Sequence, residues 1–370
     1  MKNITIKQSV LCFAAATFMY SCTKPEVTSE KVVLRPNLLS EVKMATSTNK
    51  LQRPITTSIS GNLEDYTANY LYNFYYPDEP GNKKTTVLQY QVGSAKCPLI
   101  LSSAHGVDSD FLSNSPIPFW ASWSDKTQGT LLSDNKTTDF TLEIAKEFEN
   151  LTGGSRPHVI INQIHRRKMD PNQVPGRQDP TALKAYNAFH KCLDIATDKV
   201  DAVFKQTGGI LIDVHGHAHQ DANKKPIEIA DVGYNLSAED YSISNGDSFL
   251  NDNYMKSSIA NMKSFSGSVS FGQRVRGQNS LGDLLQINGI KSTPSPVKPI
   301  PTSPYFQGGD IIRIHGSKDF QRKTSAIQIE FAHSYKRTDE IRSRNAKNVA
   351  KALILYLKAQ YNITFSQFNY

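Results

Sequence analysis

Cysteine is scarce, with four in 370 residues, and none are spaced as Cys-x-x-Cys. A disulfide scaffold, a zinc ribbon and a thioredoxin-like redox site are therefore excluded. No run of five Lys or Arg occurs, and basic residues are not interleaved with aromatics. The formal net charge of +8 thus comes without the footprint of a nucleic-acid binder. A membrane-spanning run is missing too: the apolar stretch from Val10 to Tyr20 is far shorter than the roughly twenty residues a spanning helix needs. There is no internal repeat. What is present, 38% hydrophobic and 9% aromatic residues, is too much apolar material for a disordered chain and suffices for one folded body of enzyme size.

The N-terminal stretch MKNITIK sets Lys2 and Lys7 ahead of the short apolar run, which closes in Ser21 and Cys22. A charged start followed by a short apolar core reads as a secretory signal over residues 1–21. A Cys directly after a small residue resembles a bacterial lipoprotein signal, with Cys22 lipidated as the first residue of the mature chain. The expected location is then the cell envelope, periplasm or cell surface, with a lipid anchor holding the chain to the membrane. An ordinary secreted protein, with Cys22 there by coincidence, is the other reading. Residues 22–80 form the anchor, a polar tether and a leading segment without sustained periodicity, and the folded domain is expected over 81–370. Cys97 and Cys192 remain in it, and their pairing is not readable from spacing.

Within that domain short apolar runs alternate with amphipathic segments. VLQYQV (87–92), PLILSSA (98–104), HVIINQI (158–164), ILIDV (210–214) and AIQIEFA (326–332) read as strands. Helical spacing follows Asp139 as far as Gly153-Gly154, and again over about 180–206 and 339–361. Alternating apolar strands and helices predict an α/β sandwich around a mixed, mostly parallel sheet. The stretch 235–325, rich in Gly, Ser and Pro, is expected to form long loops over one sheet edge.

Chemistry collects where such sheets place their sites, at the C-terminal ends of strands. His105 follows one apolar strand directly and His215 another, each beside a glycine (Gly106, Gly216) that leaves room for close approach. Two imidazoles so placed suggest a metal, and His217 and His219 add nitrogen density along the same extended segment. A catalytic zinc takes three protein ligands, commonly with a carboxylate among them. Asp108 and Asp139 are the two candidates here. Glu330, in an otherwise apolar strand, must be paired, close to a cation, or protonated if it is buried. The run IHRRKMDPNQ gathers Arg166, Arg167, Lys168, Asp170 and Asn172 after a strand, a cationic turn suited to an anionic group.

The series LILSSAHG, DFTLEIAKEFENLTG, VIINQIHRRKMDPNQ, ILIDVHGH and AIQIEFA resembles the N-formylglutamate amidohydrolase family, over about residues 85–360. The resemblance implies a three-layer fold of the zinc carboxypeptidase and phosphorylase/hydrolase kind and a domain that hydrolyses amide C–N bonds with one zinc ion. It implies His105, Asp139 and His215 as metal ligands, with Asp108 as the alternative carboxylate, Glu330 as general base, and Arg166 as the group that polarises the scissile carbonyl. Asn172 and the next position would hold substrate. That position is Gln173 where the family has Arg, so its bidentate carboxylate pairing is lost unless Arg177 or Arg167 substitutes. His315, in a His-Gly that follows the Gly308-Gly309 loop as in family-like sequences, is a further substrate-side candidate, and Tyr305 lies in the same irregular segment. The implied substrate is a small anionic acyl-amino acid or peptide. The competing class is a non-catalytic surface binding protein that keeps the fold.

Overall fold

The computed structural model describes residues 71–77, 84–107, 117–242, 246–265 and 269–370, together with the backbone at 42–44 and 55–58. Cys22, the signal and most of the tether lie outside the described residues, as does Asp108. Among the described residues no helix is long and apolar enough to cross a membrane.

The strands with no polar side to spare form the middle of the sheet. β5 (Leu99–Ser103), β6 (His158–Asn162) and β10 (Ser325–Ala332) are buried at every position, and β7 (Ile210–His217) at every position except Gly216. They lie side by side in the order β6-β5-β7-β10, all parallel, as expected for strands covered on both faces. Antiparallel strands flank them, β4 (Thr86–Gln91) beside β6 and β8 (Ala230–Gly233) beside β10. β3 (Leu71–Tyr75), β2 (Ile55–Ser58) and β9 (Ser292–Thr293) complete a nine-stranded mixed sheet. The sheet thus takes in Leu71–Tyr75, ahead of residue 81. β1 (Val42–Met44) and β11 (Ile363–Phe365) form a separate parallel pair.

Helices cover both faces. α1 (Thr137–Leu151) packs against α7 (Asp339–Tyr361) on one side, and α2 (Leu183–Val203) against α6 (Asp310–His315) on the other. α1 turns Phe140, Ile144 and Phe148 inward; Phe140 meets Phe331 of β10 edge to face, ring centroids 4.9 Å apart. Each such buried aromatic contributes about 1.5–3 kcal/mol through area removed from water. α7 starts on a side-chain cap, Thr338 Oγ1 accepting from Ile341 N–H, and ends where Asn362 takes the left-handed conformation.

The stretch 235–325 is less loop-like than its composition predicts. It holds α6 and the short helices α3 (Gly246–Asp252), α4 (Phe271–Arg276) and α5 (Leu281–Ile287). The last two begin at Ser270 and Ser280, whose hydroxyls cap them, so the Ser-rich composition serves as helix starts. Cys97 and Cys192 are both buried free thiols.

Candidate metal centre

The parallel register brings the strand ends together. Glu330 of β10 is the partner of His215 of β7, and His105 stands two residues past the end of β5 on the other side of β7. The third participant was not among the sequence candidates. Asp134 lies in the turn before α1, where its N–H donates to His105 O at 2.9 Å. Its own carbonyl accepts from Thr137 N–H and Oγ1–H at 3.1 and 2.7 Å. That turn carries its carboxylate to the histidines: Oδ2 is 3.3 Å from His105 Nδ1 and 3.0 Å from His215 Nδ1, and the two Nδ1 atoms are 3.1 Å apart. All three side chains are buried.

The far nitrogens decide what this triangle is. His105 Nε2 lies 2.6 Å from Asp170 Oδ1, and His215 Nε2 lies 2.7 Å from Asp213 Oδ2. A carboxylate accepts, so each Nε2 donates, and each Nδ1 is left with a lone pair. Three electron-rich atoms then face one another at about 3 Å with nothing positive between them. A cation relieves this, and donors each about 2.0–2.1 Å from a tetrahedral zinc stand roughly 3.3 Å apart. The donor set, two imidazoles and a carboxylate, and the carboxylates behind both histidines are what a catalytic zinc uses. The residues fit that ion. The same demand for positive charge shows in the titration: burial works against a charged His215, but Asp213, Asp134 and Glu330 hold its imidazole pKa well above the usual value. Burial would likewise raise Asp134, and the two histidines override it, keeping that carboxyl well below its normal range.

A second layer locks the triangle. Ser102 Oγ donates to Asp213 Oδ1 at 2.7 Å. Asp170 accepts from Asn172 N–H at 3.0 Å, from Arg166 Nε at 3.1 Å and from the buried Lys126 ammonium. Burial opposes the charge on Asp170, and His105, Arg166 and Lys126 still hold its carboxyl well below the normal range. Arg166 also reaches Asp134 Oδ1 through Nη1 at 3.2 Å, so it clamps two of the carboxylates. Glu330 Oε1 is 3.9 Å from His215 Nδ1 and accepts from Gln328 Nε2 at 2.9 Å. Burial pushes its carboxyl up to about 8, against the pull of His215 and Arg166.

The other sequence candidates are placed differently. Asp139 lies in the first turn of α1 with its side chain 47% exposed, 3.6 Å from Lys136 Nζ. This is a correction to the expected ligand set, since the carboxylate facing the histidines is Asp134. Its cause is the helix start: Lys136 adopts a left-handed conformation and α1 begins at Thr137, so Asp139 is already on the solvent side of the helix. Asn172 is at the site, its amide 3.5 Å from His215 Nε2 and 3.2 Å from Gln328 Oε1. Gln173 turns away and lies over Gly129, and among the described residues its buried Oε1 has no hydrogen-bond partner.

His315 is buried between α6 and α2, 2.8 Å from His190 Nδ1 and 3.1 Å from Asp194 Oδ1, not at the donor triangle. Tyr305 donates its hydroxyl to Val232 O at 2.9 Å. His217 and His219 stack on each other beside Asp231, apart from the triangle. Asp213, Lys126 and Asp134 are the participants the sequence reading passed over. Asp213 had a signal, since two positions before His215 on a strand it must share that histidine's face. Lys126 and Asp134 lie in irregular chain and had none.

No family model matches the chain, and no curated protein matches it in sequence. Among solved structures it is similar to an N-formylglutamate amidohydrolase from Ralstonia eutropha JMP134, at 12% identity over 74% of this chain and 97% of that one, TM-score 0.40. It is also similar to the N-acetylmuramyl-L-alanine amidase Ami1 from Mycobacterium abscessus, at 13% identity over 70% and 98%, TM-score 0.29. A third is the N-acetylmuramoyl-L-alanine amidase from Clostridium difficile 630, at 11% identity over 72% and 98%, TM-score 0.28. Likenesses this distant assign no chemistry, which rests on the side chains of this chain.

Proposed function

We propose that the chain is a zinc-dependent amidohydrolase that cleaves the amide C–N bond of a small N-acyl amino acid or peptide. One observation carries this reading: the Nδ1 atoms of His105 and His215 and Oδ2 of Asp134 converge within 3.0–3.3 Å with both far nitrogens committed to carboxylates. These three atoms would hold the ion. A zinc there supplies Lewis acidity toward a carbonyl oxygen and acidifies water.

The remaining work falls to the chain's own groups. Glu330 faces the triangle from the neighbouring strand, and Gln328 fixes the orientation of its carboxylate. With the charge of an ion beside it offsetting the burial that raises its carboxyl, it would take the proton of the attacking water and return it to the leaving nitrogen. Arg166 spends two of its N–H groups on Asp134 and Asp170. The others are left to stabilise the negative charge that grows on the carbonyl oxygen. Asn172, held by Ile311 N–H at its Oδ1, presents its amide beside His215 and positions the substrate. An exported, Cys22-anchored chain would meet its substrates in the cell envelope, which favours peptides and acyl-amino acids found there.

The test is metal content with turnover. Purified protein is expected to hold one zinc per chain and to hydrolyse members of a panel of N-formyl, N-acetyl and γ-glutamyl amino acids, with activity lost on chelation and restored by zinc. Protein that folds without binding zinc, or binds it and cleaves nothing in the panel, would favour the surface binding protein instead.

A further inference from the structure

Lys336 is 2% exposed, in the turn His333–Lys336 that joins β10 to α7. Its ammonium lies against Gly216: a Cβ built on that glycine would stand 2.3 Å from Lys336 Nζ and 3.3 Å from Thr137 Cγ2. Gly216 directly follows the donor His215, and its N–H donates to Asp134 Oδ2 at 3.3 Å. The lysine therefore reaches the edge of the donor triangle through space that only a glycine leaves open. Among the described residues Nζ makes neither an ion pair nor a hydrogen bond; Asp134 and Glu330 act on it only through space.

With a divalent ion at the triangle, the charges around it balance without this lysine. Asp134, Asp170, Asp213 and Glu330 are matched by Lys126, Arg166 and the ion itself. Among the described residues the other buried aspartate, Asp231, accepts from Phe306 N–H at 3.2 Å and stands 3.8 Å from His219 Nδ1. Lys336 is thus a surplus positive charge in a place with little water, which is unfavourable until an anion arrives. An apolar side chain of the same length would fill the volume without that cost, so packing gives no reason for an ammonium here.

We propose that Lys336 is the anion-binding residue of this site, pairing with a carboxylate carried by the substrate a few bonds from the amide that lies at the donor triangle. The inference rests on the amidohydrolase reading and narrows its substrates to acyl amides bearing a negative charge. Arg166 is not given this role, because its charge is shared between Asp134 and Asp170 and its remaining N–H groups are assigned to the carbonyl oxygen.

Binding calorimetry on the zinc-loaded chain tests this with two matched pairs: succinamate against butyramide, and glutaramate against valeramide. Within each pair the members differ by a carboxylate in place of a methyl group. The wild type is expected to bind at least one charged member tenfold or more tighter than its neutral partner. Lys336→Met is expected to collapse that ratio to near one with zinc content unchanged. Gly216→Ala, which crowds the flexible end of Lys336 first and Thr137 Cγ2 less closely, is expected to lower the ratio as well and decides the matter if Lys336→Met does not fold. No preference in the wild type, or a preference that survives the variants, overturns the proposal. Binding is read here rather than turnover, so the two readings fail separately. An intact preference without hydrolysis of any amide counts against the catalytic reading alone, and hydrolysis without the preference counts against Lys336 alone.

Discussion

Glu330 and His215 are register partners across β10 and β7, and this pairing sets the Glu330 carboxylate 3.9 Å from the Nδ1 atom of His215. Two adjacent parallel strands put an acid that can accept a proton beside an imidazole that can hold a metal, both on one face.

Glu330→Gln keeps the shape and the Gln328 neighbour but removes the proton acceptor. Hydrolysis should fall by about 10²–10⁴-fold, the usual share of a general base, while zinc content stays that of the wild type. Full activity in this variant would remove Glu330 from the mechanism, and loss of zinc would make it a ligand instead.

The two aspartates near the start of α1 should separate cleanly. Asp134→Asn takes a charged donor out of the triangle and should abolish stoichiometric zinc. Asp139→Asn should leave zinc and activity within error of the wild type, because its carboxylate is half-exposed and its ion pair among the described residues is with Lys136, away from the triangle. Metal analysis of the two variants is sufficient, and zinc lost from Asp139→Asn would contradict the site described here.

Asp213 touches the triangle only through His215 Nε2. Asp213→Asn removes the charge behind His215 and leaves one oxygen where His215 and Ser102 use two, and zinc affinity should weaken by about 10–100-fold, the cost commonly seen for such supporting carboxylates. Competition with a chromophoric chelator measures this. Unchanged affinity would mean that the bond is structural only.

His158 lies in the described core away from the site. Its Nδ1 accepts from Gly93 N–H at 3.1 Å and lies 2.9 Å from Tyr90 Oη. Burial, with a smaller contribution from Lys199, pushes its imidazole down to about 3, whereas the unfolded chain titrates near 6.5. Between those values the unfolded state binds the extra proton. This contribution to stability is therefore complete above pH 6.5 and is lost as pH falls, by up to about 1.4 kcal/mol per unit for one group. His165, His190 and His217, each lowered to about 4, add to the same slope. In urea unfolding between pH 6.5 and 4.5, His158→Asn should show a shallower loss than the wild type. Parallel curves would rule out the assignment.

Much of the architecture follows from pattern. AIQIEFA reads as a strand over 326–332 and is one over Ser325–Ala332, and the helix expected at 339–361 is α7 (Asp339–Tyr361). Runs buried on both faces carry an apolar signal too strong to misplace. The stretch 235–325 was harder, because α3 to α6 are six or seven residues long, too short to show helical periodicity.

For the site, His105 and His215 stand out as imidazoles after apolar runs and Glu330 as a carboxylate inside one, which are local features of the sequence. Such features were not enough for Asp134, Lys126 or Lys336. Asp134 and Lys126 sit in irregular chain and Lys336 closes a short helical turn, and their directions are set by the left-handed Lys136 before α1 for Asp134, the contact with Asp170 for Lys126, and the gap over Gly216 for Lys336. Strand positions and helix faces come from periodic burial, which sequence records directly. The convergence of donors and charges on one point depends on where separate turns end in space, and only tertiary packing determines that.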